Sequence, residues 1–448
     1  MSGHLYAPPV PTAANSEQGL VRAIGVRGLT ASIINTTIGA GIFVLPALVA
    51  KDLGSAAPLA YIACALAMTF VVASFAMAGS RVSLTGGIYA YVEVAFGPLV
   101  GFVTGFLVWL ACLLAAASVA SALATSVGLI LPAFKQPVFR ALGLGLVFAT
   151  FAAVNVRGVA VGARLIEGVT LAKLLPLLVL IGAGLFWVRP EHFAIEWASP
   201  DRIGTASMTL IFAFVGIEVA LAPSGEVRDP ARTVPRAIFG ALALTTVIYL
   251  LIQLTATAVL GPALATFTDA PLAEMASRLL GPVGRTVVLL GGSISMLGFL
   301  SGDALCTPRS LYAFARDGLL PAPLARLHPR FHTPWLAIIV HAIMAWALAA
   351  VGSFGVLVLL SNVTLLVGYL FCCLAAIELR RRNVQAGGLP FNMPGGPLVP
   401  ILACGVVLWL LSHATAPEFK ASAVAVVVAV LLFAWRKFRN GRAPVLAG

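Results

Sequence analysis

Charge is scarce in this sequence. Asp, Glu, Lys and Arg together make up 10% of its 448 residues, while 60% fall in the hydrophobic set and the mean hydropathy is +1.03. A soluble globular domain carries about 25% charged residues, and no soluble core could hide this much apolar surface, so an ordinary soluble protein is excluded. The alternating pattern of a membrane β-barrel is also missing, because the apolar runs are continuous. Long polar stretches are lacking too: the longest gaps, such as 189–202 and 316–334, are loops and leave no room for a soluble domain. The six cysteines lie inside apolar runs, and none stands at metal-ligand spacing from a histidine. They read as small core side chains, with no metal site expected. Residues 1–26 are polar and proline-rich, without the apolar core or cleavage site of a secretory signal, and read as a disordered cytoplasmic tail.

What the sequence does contain is long apolar runs: 27–50, 56–80, 98–131, 140–156, 159–188, 203–223, 235–260, 283–315, 335–351, 356–379, 398–413 and 419–435. A membrane-spanning helix needs about 20 mostly apolar residues. The expectation is an all-α polytopic membrane protein with twelve transmembrane helices. The net charge of +12 follows that topology. If the N-terminus is cytoplasmic, 19 of the 28 Lys and Arg residues fall in inner segments and 8 in outer ones. The positive-inside rule then puts both termini in the cytoplasm, and the basic balance is a topology signal rather than a nucleic-acid surface.

Two of the runs are interrupted. The first reads TTIGAGIFVLPA over 36–47, with Gly39 and Gly41 at its middle and Pro46 after them; the sixth, IFAFVGIEVALAPSGE, carries Gly216 and ends at Pro223 and Gly225. An interior Gly weakens a helix by about 1 kcal/mol and an interior Pro by about 3. The two runs sit five apart, which fits two five-helix units in inverted repeat with a binding site at the breaks; glycines placed for close helix packing fit equally well. A break at mid-membrane frees amides and carbonyls that must find partners, and a zwitterion can satisfy both kinds. The half-helix beginning after Gly41 would aim its positive end at a carboxylate.

Ionisable residues at membrane depth are functional candidates by default. Three stand out: Lys173 in the fifth run, Glu218 just past the break in the sixth, and Asp303 in the eighth. They either serve the site or pair with one another and with carbonyls to hold helices together. Lys173 could take the place of a sodium ion among carbonyls, or shed its proton. The histidines are scattered without metal spacing, and no site is read from them. Asn362, in the tenth run, either lines the site or bonds a neighbouring helix.

Four strings in order, IGAGIFVLPA at 38–47, GGIYAYVEVAFG at 86–97, FAFVGIE at 212–218 with EVRDPARTVPRAI at 226–238, and PRSLYAFARDGLLP at 308–321 followed by HPRFHTP at 328–334, resemble the amino acid–polyamine–organocation superfamily of secondary transporters, specifically its bacterial amino acid permeases. The resemblance covers nearly the whole chain. It implies a LeuT-like fold of two inverted repeats, 27–188 and 203–379, with two extra helices over 398–435 and a cytoplasmic tail over 436–448. It also implies alternating access in the bacterial cytoplasmic membrane, with no cofactor and no obligate protein partner. Within the glycine motif Thr37-Ile38-Gly39-Ala40-Gly41, it assigns the amides of Ala40 and Gly41 to the substrate carboxylate and the carbonyl of Thr37 to the amine. In the motif Phe212-Ala213-Phe214-Val215, the carbonyls of Phe212 and Val215 complete the amine site and the Phe212 ring is a gate. Glu218 matches a gating or proton-sensing carboxylate, and Lys173 the lysine that stands in for sodium. The chain departs from the family pattern twice. Ser301 stands where many relatives carry Asn, a short side chain that can still accept from Lys173. Asp303 falls on a substrate-facing position, where with Glu218 it would favour cationic amino acids or polyamines, or one of the two would carry the coupled proton.

The function expected is thus sodium-independent secondary transport of amino acids by proton-coupled symport, or amino acid or polyamine exchange on the same fold. A channel would need a ring of like residues or a re-entrant filter. A membrane enzyme would need clustered His, Asp or Cys at an interface. Neither pattern is present.

Overall fold

A computed structural model describes residues 25–82, 86–158, 163–187, 192, 198–218, 227–385 and 390–440. All regular structure among these residues is helical. Most of the expected terminal tails, 1–24 and 441–448, and the second half of the sixth run, 219–223, lie outside the described residues.

Helices form where the apolar runs predict them, and proline sets many of their starts. Pro98, Pro137, Pro200, Pro230, Pro271 and Pro308 each occupy the first position of a helix, where the missing N–H would have no intrahelical partner anyway. The first run divides into α1 (Val26–Thr37) and α2 (Gly41–Leu53). The second is α3 (Ala57–Gly79), and the GGIYAYV motif forms the short α4 (Ile88–Phe96). Gly97, at φ +88°, lets the chain turn directly into α5 (Pro98–Ile130). The chain continues through α6 (Pro137–Val156), α7 (Ala163–Leu185), α8 (Pro200–Leu210), α9 (Pro230–Leu260), α10 (Pro271–Cys306), α11 (Pro308–Arg316), α12 (Trp335–Val351), α13 (Phe354–Arg381), α14 (Leu398–Leu411) and α15 (Ala416–Asn440).

Seven helices among the described residues are long and apolar enough to cross a membrane, and α12 and α14 are shorter apolar helices. The eighth run corrects its expected end. The kink at Gly281–Pro282 falls where the run was expected to begin, but the helix stops at Cys306 rather than 315. Pro308, lacking an N–H, then opens the separate α11.

Position in the bundle follows burial. With 33 residues α5 is about 50 Å long at 1.5 Å per residue. It is buried along most of its length between α13, α4, α10 and α12. α1 packs on α9, α7 and α10, and α2 on α8, which places the broken first helix inside the bundle. The periphery carries its apolar side chains outward, as at Leu142 and Leu146 of α6 and Val424, Val427 and Leu431 of α15. That inverts the soluble pattern and suits contact with lipid.

Candidate functional site

The helix of the first run stops at Thr37 and restarts at Gly41, so Ile38, Gly39 and Ala40 are the unwound residues. Ala40 caps α2 without a side-chain hydrogen bond, which leaves the positive, amide-rich end of α2 open toward the break. In the sixth run α8 tightens after Leu210 into a 3-10 turn over Ile211–Phe214, then leaves helical geometry at Val215 (φ −62°, ψ 138°). Both interruptions anticipated from Gly39–Gly41 and Gly216 are therefore present.

The two breaks touch through glycine. Gly216 has φ +107°, and a Cβ built on it would lie 2.4 Å from the carbonyl oxygen of Thr36. The Thr36 hydroxyl donates back to the Gly216 carbonyl at 3.0 Å. A Cβ on Gly41 would meet the Cα of Ala213 at 3.1 Å, and one on Gly39 the ring of Phe299 at 3.2 Å. The approach at Gly216 is closer than any side chain would allow, and those at Gly39 and Gly41 are tight.

Polar side chains from other helices take up the freed carbonyls. Lys173 on α7 donates from Nζ to the carbonyls of Asn35 (2.8 Å) and Ile38 (3.1 Å) and is wholly buried. Ser295 on α10 donates to the Ile38 carbonyl at 3.0 Å and reaches that of Gly39 at 3.4 Å. Tyr249 on α9 donates to the Ala213 carbonyl at 2.9 Å and lies 3.4 Å from that of Thr37, so the Thr37 carbonyl already has a hydroxyl beside it. Asn362 donates to the Met208 and Thr209 carbonyls at 2.7 and 3.3 Å, which favours its helix-bonding alternative. The Phe212 carbonyl accepts the Val215 N–H at 3.2 Å, and the buried Phe212 ring stands edge-on to Phe354 with centroids 5.7 Å apart.

Glu218 is buried and closes the second break. Its two carboxylate oxygens accept the Gly216 N–H at 3.2 and 3.0 Å, and one also accepts the Tyr369 hydroxyl at 2.6 Å. Hydrogen bonds to charged groups contribute about 1.5–3 kcal/mol. Tyr369→Phe is therefore expected to lower the thermal unfolding temperature in detergent and to reduce transport several-fold while keeping the packing of the ring on Phe75. An unchanged melting curve would contradict this bond.

A small cavity opens between Thr36, Val215, Gly216, Glu218, Phe299 and Asp303. Glu218 and Asp303 thus both line one space. Lys173 is directed to the carbonyls of Asn35 and Ile38 instead. Ser301 is half-buried on α10, and the hydroxyl that shares the Ile38 carbonyl with Lys173 is that of Ser295, six residues earlier. Arg316 and Asp317 pair with each other at 3.0 Å on the exposed surface.

Sequence reasoning missed Ser295, Tyr249, Tyr369 and His341. His341, fully buried on α12, has its Nε2 2.9 Å from Oδ2 of Asp303. It carried a usable signal, being a lone ionisable side chain in an apolar run. The other three carried none.

Comparison with known proteins identifies the family. A methylthioribose transporter of Bacillus subtilis (strain 168) is 27% identical over 92% of this chain and 93% of its own length. A serine/threonine exchanger of the same organism is 28% identical over 86% and 90%, and its branched-chain amino acid permease 27% identical over 89% of each. The amino acid permease family matches residues 24–435. A chain whose helices break where this one's do, and which matches that family over nearly its full length, is a multi-pass membrane transporter belonging to the amino acid permease family.

Proposed function

We propose that the facing breaks at Ile38–Ala40 and Val215–Ile217 form the binding site for the α-amino and α-carboxyl groups of an amino acid. The observation that carries the reading is the open N-terminus of α2 lying against the carbonyl-rich turn of the sixth run. Amides of Ala40 and Gly41 receive the carboxylate, and carbonyls of Phe212 and Val215 with that of Thr37 receive the ammonium. Phe212 covers the site, and residues 27–188 and 203–379 move against each other to expose it alternately to the two sides. The excess of Lys and Arg in the segments read as inner supports cytoplasmic termini in a bacterial inner membrane.

Transport is sodium-independent, because the Lys173 ammonium already occupies the carbonyl cluster that a sodium ion would need. Uptake is then driven by protons, with Glu218 as the carboxylate nearest the break. The relative named as a serine/threonine exchanger favours a second reading, exchange of one amino acid for another.

Reconstitution of the purified chain in liposomes with a panel of labelled amino acids tests both. Saturable accumulation driven by an inward acid gradient, and equal in sodium and choline buffers, supports symport. Uptake that appears only with unlabelled amino acid inside supports exchange. Sodium-driven accumulation, or flux that does not saturate, would overturn the reading.

A further inference from the structure

Asp303 does not face the cavity alone. Oδ1 accepts the Thr307 hydroxyl at 2.6 Å, and Oδ2 lies 2.9 Å from Nε2 of His341. The two paired side chains are 6% and 2% exposed. The elements around the pair offer little else that can hold charge. α5 contributes Cys112 and has no Asp, Glu, Lys or Arg along its length, and α10 contributes Cys306. On α11, Arg309 and Arg316 are exposed. The charged residue of α6, Arg140, bonds Ser121. Glu218, across the cavity, has its oxygens engaged by Gly216 and Tyr369, and Lys173 is committed to backbone carbonyls. Among the described residues, His341 is the one nitrogen base at ion-pair distance from Asp303.

Two carboxylates around one small cavity oppose each other's ionisation, and a buried carboxylate without a compensating partner is strongly disfavoured. Histidine is the side chain that exchanges a proton near neutral pH. A purely structural bond to Asp303 would need only an amide donor; the imidazole instead leaves its buried Nδ1 without a protein partner.

We propose that His341 is a positioning residue that shares one proton with Asp303 and so sets the permease to amino acids with uncharged side chains. With the proton on either partner, the pair is neutral overall and the cavity offers no net charge from α10. Without the imidazole, Asp303 has no nitrogen base with which to share a proton, and an ammonium or guanidinium side chain in the cavity becomes the partner that compensates its charge. This deepens the amino acid reading above, rests on it, and reverses the cationic preference expected from Asp303 in the sequence.

The test is competition in liposomes between lysine and the best-transported neutral amino acid. His341→Gln keeps an amide donor for Oδ2 but cannot carry the proton. It should raise the lysine-to-neutral ratio of kcat/KM about tenfold, or about 1.4 kcal/mol. The double variant Asp303→Asn/His341→Gln should return the ratio to that of wild type. The single variant Asp303→Asn should leave the ratio at its wild-type value. Should His341→Gln not reconstitute, lysine-induced thermal stabilisation in detergent carries the same comparison, and lysine stabilising His341→Gln no more than it stabilises wild type overturns the proposal. A ratio unmoved by His341→Gln, or moved equally in the double variant, also overturns it while the amino acid reading stands. Wild-type liposomes that transport neither substrate class overturn that reading and this inference together.

Discussion

Gly216→Ala should abolish transport. The residue sits at φ +107°, and holding a side chain in such a region costs about 1–3 kcal/mol before any contact is considered. The contact is worse than the strain. The new methyl would lie 2.4 Å from the Thr36 carbonyl oxygen and 2.7 Å from its carbon, and both neighbours are backbone, so no rotamer change relieves the overlap. The two broken segments would have to separate, breaking the hydrogen bond from Thr36 to Gly216 and shifting the amide that Glu218 holds. Initial uptake in liposomes is expected to fall below about 1% of wild type, corresponding to roughly 2.8 kcal/mol at 1.4 kcal/mol per tenfold, with a lowered unfolding temperature in detergent. Gly240→Ala on α9 is the control. Nothing lies within 4 Å of its added Cβ, and an interior Gly to Ala change gains about 1 kcal/mol of helix propensity, so transport should persist. Gly216→Ala transporting at half the wild-type rate would show that the contact between the breaks is not required.

The contrast between these glycines bears on what could be read from the chain alone. Where helices break was legible because the cause is local: Gly39, Gly41 and Gly216 weaken the segments that contain them, and the unwound residues are those at 38–40 and 215–217. Helix starts were less legible: the apolar runs begin several residues after Pro137, Pro200, Pro230 and Pro271, where the helices open, because an N-terminal proline starts a helix before its apolar stretch does. What fills the breaks was not legible. Tyr249 reaches Ala213 across 36 residues, Tyr369 reaches Glu218 across 151, and Ser295 reaches Ile38 across 257. Each is an ordinary polar residue in an apolar helix, chosen by how the helices pack. Ser301 and Ser295 show the limit well. Both are serines on α10, six residues apart, and helix geometry rather than residue type turns Ser295 toward the first break. His341 was passed over for a different reason. Histidines were weighed only for metal spacing, although a buried ionisable group in a membrane helix asks for its partner first, and Asp303 is that partner.

Lys173→Met should also be damaging, through polarity rather than shape. The substitution keeps an unbranched side chain in a site that is wholly buried and removes the ammonium that holds the carbonyls of Asn35 and Ile38. Each charged hydrogen bond contributes about 1.5–3 kcal/mol, and a carbonyl stranded in hydrocarbon has no water to replace the lost donor. Ser295 still reaches the Ile38 carbonyl, so the Asn35 carbonyl bears most of the loss. One such bond is enough to reduce uptake by about tenfold to a hundredfold at 1.4 kcal/mol per factor of ten. Lys173→Arg should not rescue it, because the planar guanidinium is larger than the ammonium and the site has no spare exposure to receive it. Uptake by wild type should be the same in sodium and choline buffers, since the carbonyls that could coordinate sodium already hold the ammonium. Lys173→Met is expected to be inactive in both buffers if the ammonium also supports the geometry of the break, and to recover in sodium alone if it only fills a cation's place. Full accumulation by Lys173→Met with the wild-type pH dependence would mean that the first break is held open by the glycines and Ser295 without it, and the role assigned here to Lys173 would be wrong.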